Sequence, residues 1–101
     1  MKILLISLLS LFASLNSGVA MADAKQEIIA RCRTSMGEYG SMMVKSCVDQ
    51  DLTALIALNK YPKRHGSIIG RCMNTMEEYG YMMVKSCVDQ DIKAEKELGD
   101  Y

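Results

Sequence analysis

A chain of 101 residues, half of them hydrophobic, carries twelve basic and twelve acidic residues, four cysteines, nine methionines and one histidine. Its zero formal charge leaves no electrostatic footprint for a nucleic acid, which requires a clear basic excess. The one histidine, His65, stands in a basic stretch with Lys60, Lys63 and Arg64 and has no cysteine near it in sequence. Triad and metal-hydrolase sites are therefore hard to assemble, and no enzyme activity, metal or other cofactor is expected.

The N-terminus reads as an export signal. Lys2 precedes an apolar run from Ile3 to Leu15 that is broken only by serines. Asn16, Ser17 and Gly18 follow, and Ala20-Met21-Ala22 then offers the small-x-small pattern of a signal peptidase site. The run falls short of the about 20 apolar residues that a membrane span needs. Residues 1–22 are accordingly read as a signal peptide cleaved after Ala22. The mature chain from Asp23 then has no membrane span and is periplasmic or secreted.

Helical punctuation follows in chain order. Asp23 with Gln26 three residues on has the form of a capping box, ahead of Ile28, Ile29, Cys32 and Met36 at helical spacing. Gly40 stands where a helix would end in a left-handed residue. A second helix is predicted from Met42 to about Leu58, stopping before Tyr61-Pro62, because proline disfavours helix in the residue ahead of it. A third begins between Pro62 and Ser67. It ends at Gly80, and a fourth runs from about Met82 to Leu98.

The chain repeats itself. Glu38 to Asp51 recurs as Glu78 to Asp91, forty residues on, with one change: Ser41 becomes Tyr81. That period is typical of stacked helical units. Cys32 and Cys47 are spaced as Cys72 and Cys87 are, and an even count in a short exported chain reads as a disulfide framework. Four cysteines allow three pairings, of which Cys32–Cys47 with Cys72–Cys87 lets each copy close its own bond. On a straight helix the first two would lie roughly 22 Å apart. A disulfide needs alpha carbons within about 7 Å, so the chain must double back near Tyr39 and Gly40. With no C-x-x-C pair, zinc is a poor alternative. The expected fold is all-α: two tandem disulfide-stapled helical hairpins, residues 23–60 and 61–101, after the signal peptide.

Two sets of polar residues stand out. Asp51 falls on the same helical face as Val44, Cys47, Val48, Leu55 and Leu58, where a bare carboxylate is costly. Arg31 comes within reach of it across the predicted hairpin, and Arg71 and Asp91 repeat the relation. Two buried or half-buried ion pairs, Arg31–Asp51 and Arg71–Asp91, are expected. The second set is an outward strip that is identical in both copies: Met42, Lys45, Asp49 and Gln50, then Met82, Lys85, Asp89 and Gln90. Packing of a helix's own apolar face does not explain it. It is either a binding surface or the contact between the two copies.

Short helical repeats commonly hold another protein. The function expected is thus a small exported non-catalytic module for protein binding or scaffolding, with another exported or envelope protein as partner. The alternative is copper(I) binding or thiol redox chemistry through the methionines and cysteines. Met36, Met42, Met43, Met73, Met76, Met82 and Met83 supply thioethers of the kind that suit cuprous ion.

Overall fold

The computed structural model describes residues 20–101 and places them in four α-helices joined by short 3₁₀ turns, with no strand among the described residues. The helices are α1 (Ala20–Met36), α2 (Ser41–Asn59), α3 (Gly66–Met76) and α4 (Tyr81–Gly99). The predicted signal peptide lies outside the described residues except for Ala20–Ala22, which belong to α1. Asp23 is therefore inside a helix and does not cap one, since the alanines and methionine ahead of it are good helix formers.

Gly40 and Gly80 set the turns within each copy. Each has positive φ with extended ψ (101° and 167°; 104° and 165°), a conformation close to glycine-only. The sequence suggested a left-handed helix end at these positions. The observed geometry does two jobs. The Gly40 N–H donates to the Gly37 carbonyl at 3.2 Å and closes a 3₁₀ turn (Gly37–Tyr39), while the Gly40 carbonyl accepts the Val44 N–H at 3.2 Å and opens α2. Gly80 repeats both bonds with Glu77 and Val84. Pro62 ends the linker after α2, and a 3₁₀ turn at Lys63–His65 leads into α3.

Disulfides join Cys32 to Cys47, with alpha carbons 5.7 Å apart, and Cys72 to Cys87, at 5.8 Å. Each closes a loop worth about 3 kcal/mol on the chain-entropy account. Cys32 and Cys72 are fully buried, and Ile28, Val84 and Val88 are the other fully buried large side chains. In so thin a core the disulfide sulfurs act as packing atoms as well as staples.

α1 packs against α2, α3 against α4, and α2 against α4. The last contact joins the copies. It brings Ala54, Leu55 and Leu58 of α2 into one core with Tyr81, Val84 and Val88 of α4. The two copies contribute different stretches to it: α4 its N-terminal half and α2 its C-terminal half. Val84 and Val88 are buried, whereas Val44 and Val48, their equivalents in α2, are only partly covered. Conversely, Ala54 and Leu55 are buried, whereas Ala94 and Glu95 are exposed.

Candidate functional site

The polar centre of the molecule is the Arg31–Asp51 pair. Arg31 donates from Nη2 to Asp51 Oδ2, and Asp51 is buried. Its second oxygen, Oδ1, accepts the Met82 N–H at 2.9 Å. Gly80, the N-cap of α4, has no side chain to satisfy the first amides of the helix, and Asp51 satisfies one of them from the other copy. A carboxylate at this end also favours the helix dipole. The Arg31 guanidinium lies over the Tyr81 ring, 5.9 Å from its centroid. Gly80 fits closely against the pair: a Cβ there would stand 3.0 Å from Asp51 Oδ1 and 3.3 Å from the guanidinium. Arg31 and Asp51 thus form a seat for the Gly80-Tyr81-Met82 corner.

Arg71 and Asp91 are also hydrogen-bonded to one another, but this pair is not buried. Its side chains are 60% and 36% exposed, against 27% and 7% for Arg31 and Asp51. The reason is positional. α4 covers the first pair, and no described segment covers the second.

The strip residues are likewise inequivalent. Met42, Lys45, Asp49 and Gln50 are exposed, and Met42 is 87% so. Lys45 bonds Asp49 at 2.7 Å and Gln50 bonds Ser46 at 3.0 Å, each one turn away on the same helix. In the second copy Lys85 bonds Asp89 at 2.7 Å and Gln90 bonds Ser86 at 3.2 Å. There the strip also meets α2. Asp49 and Gln50, with Thr53, Ala54 and Ala57, face Met82, Lys85, Ser86, Asp89 and Gln90 across a groove of about 590 Å³. Six of the eight strip residues line it, while Met42 and Lys45 lie outside.

Tyr61, in the linker after α2, reaches this groove's edge and donates its hydroxyl to Asp89. Burial would by itself raise the Asp89 carboxyl, but the bonds from Lys85 and Tyr61 outweigh it and hold the group below the ordinary carboxylate range. Burial first, then the bond to Asp89, pushes the Tyr61 hydroxyl up, and the bond to Asp89 raises Lys85. Sequence reading missed this three-way contact and the capping of α4 by Asp51. The one available signal was the Ser41-to-Tyr81 change, which falls on the seated corner.

The methionines, scattered in sequence, partly converge. Met36, Met43, Met82 and Met83 line one cavity of about 480 Å³ beside Cys47. Both cysteine pairs are oxidised and no cysteine is free among the described residues. No described helix is long and apolar enough to cross a membrane. Among the described residues no three His, Cys, Asp or Glu side chains are grouped to hold a metal ion. Comparison with known proteins finds no matching family model, curated protein or solved structure.

Proposed function

We propose that the chain is an exported, non-catalytic helical-repeat module that binds or scaffolds another exported or envelope protein. In this reading residues 1–22 are a signal peptide cleaved after Ala22, and residues 23–60 and 61–101 are tandem hairpin units. Two disulfides suit the oxidising compartment such a signal leads to. The observation that carries the reading is the groove between α2 and α4. It combines an apolar floor at Ala54 and Ala57 with polar walls taken from both copies of the strip.

Thr53 is an exposed groove residue, so Thr53→Arg fills the groove without entering the core. Affinity capture from an envelope extract by the disulfide-intact protein tests the proposal. A partner held by the wild type should be lost with Thr53→Arg while the melting temperature shifts by no more than about 2 °C. It should also be lost with Lys45→Glu and Lys85→Glu together, which break the ion pairs to Asp49 and Asp89 and lower the melting temperature by a few degrees. Capture that survives all of these changes overturns the groove as the binding surface.

A second reading, cuprous-ion binding, has one observation in its favour: four thioethers line the cavity beside Cys47. Titration of the oxidised protein with cuprous ion against a weak chelator tests it. Equal affinity in a Met36→Leu, Met43→Leu, Met82→Leu, Met83→Leu variant removes it.

A further inference from the structure

The seat at Arg31–Asp51 is filled from within the chain, and the chain carries a second seat and a second corner that no other described segment occupies. The cavity beside the filled seat is lined by Met36, Met43, Ser46, Cys47, Gln50 and Asp51 of the first copy. The residues forty positions on (Met76, Met83, Ser86, Cys87, Gln90 and Asp91) line a corresponding cavity with no described residue of the other unit over it. The corner that would fit is Gly40-Ser41-Met42. Gly40 shares the backbone geometry of Gly80, nothing stands within 4 Å of the place its Cβ would take, and Met42 projects into solvent.

A second contact between the copies has its own unpaired duplicate. Tyr61 reaches Asp89 from the turn after α2, where the Lys60 N–H bonds the Ala57 carbonyl and the Tyr61 N–H bonds the Leu58 carbonyl. The chain after α4 makes the same turn, with Asp100 to Glu97 and Tyr101 to Leu98. Tyr101 is thereby held off the end of α4 as Tyr61 is off α2, and it is fully exposed. Asp49, the counterpart of Asp89, bonds through its side chain to Lys45 alone among the described residues and is itself exposed.

From these duplicates we infer that the partner of the open seat is a second copy of this chain, stacked head to tail. The Gly40-Ser41-Met42 corner of one molecule enters the Arg71–Asp91 seat of the next. Asp91 accepts the incoming Met42 N–H as Asp51 accepts that of Met82, and Tyr101 donates to the incoming Asp49 as Tyr61 does to Asp89. This rests on the reading of the chain as a binding module and names one partner for it.

Two differences make the contact weaker than its counterpart within the chain. Ser41 brings no ring to lie under Arg71. Beyond the seat, Glu95 and Lys96 replace Leu55 and Ile56, and a polar outer face of this kind limits growth of a repeat array. The contact is heterologous, so each assembly keeps a free corner at one end and a free seat at the other.

Sedimentation equilibrium of the disulfide-intact protein, up to about 1 mM, tests this. Ser41→Tyr restores the missing ring at an exposed position and should lower the concentration of half-association by about tenfold or more relative to wild type. On that background the average mass should rise past the dimer with increasing concentration. Asp91→Asn should reverse at least most of the gain and Tyr101→Phe a smaller part, with melting temperatures unchanged. A Ser41→Glu chain, with a blocked corner, mixed with a Ser41→Tyr, Asp91→Asn chain, with a weakened seat, should give dimers and stop. The inference is overturned if Ser41→Tyr stays monomeric, if association ends at the dimer without blocking, or if Asp91→Asn leaves it unchanged. Thr53→Arg touches neither seat nor corner. Loss of capture in that variant with self-association intact separates the fate of the groove from that of the seat.

Discussion

Asp51 and Asp91 occupy the same place in two copies of one sequence and serve different ends. Asp51, itself buried, satisfies a part-buried helix amide and a part-buried guanidinium together. Asp91 meets an exposed arginine alone. Removing one partner from a buried charged network leaves the others desolvated and unpaired, whereas exposed ion pairs contribute little. Asp51→Ala should therefore destabilise the fold by about 2–4 kcal/mol, and Asp91→Ala by about 0.5 kcal/mol or less. Urea unfolding with the disulfides intact measures both. Equal losses would mean that the seat contributes nothing through being filled.

At the level of the elements, the linker is tied to α4 by Tyr61, Asp89 and Lys85. Asp89 is held below its ordinary range, so its stabilisation is present above the unfolded value near pH 3.9 and is lost as pH falls through the lower folded one. Tyr61 and Lys85 are raised, so their share is present below about pH 10 and is lost as pH climbs through their folded values. These groups are largely exposed, and Asp89→Asn should lower the melting temperature by only a few degrees at pH 7. That gap should narrow as pH falls through the lowered folded value of Asp89 and close once the carboxyl is protonated in both states; a gap that does not narrow with falling pH would show that charge is not its source. The helices themselves were legible in the sequence. Gly40, Gly80 and Pro62 mark their ends, and α2 and α4 begin one residue earlier and end one residue later than periodicity indicated. The cysteine spacing likewise pointed to the bonds that the structure contains. The capping of α4 by Asp51 was not legible, because it depends on how α2 meets α4 and no local pattern encodes that. Treating the copies as equivalent also hid the exposure of Arg71–Asp91, since in a stack of two units only one of each matching pair of faces can be covered.

Across the whole molecule, the two disulfide-linked helix pairs communicate mainly through the α2–α4 contact, and Tyr81 stands at its polar end. Tyr81 is buried, its hydroxyl is pushed up chiefly by that burial, and its ring lies beneath Arg31. It is also the one position at which the duplicated segments differ. The residue that fills the seat has thus diverged from the residue with no seat to fill within the chain. In a repeat protein, stability divides into that of each unit and that of the interface between them, and weakening the interface uncouples the units. Tyr81→Ser makes the second segment identical to the first and leaves both disulfides and every other core side chain in place. It should remove about 2–4 kcal/mol, and calorimetry should show one unfolding transition for the wild type and a broadened or split one for the variant. The hydrogen exchange of the Met82 amide should rise to match that of Met42, because the Asp51 bond is lost as the seat opens. A uniformly destabilised protein that still unfolds in one sharp transition, with Met82 still protected, would mean that Leu55, Leu58, Val84 and Val88 alone hold the copies together.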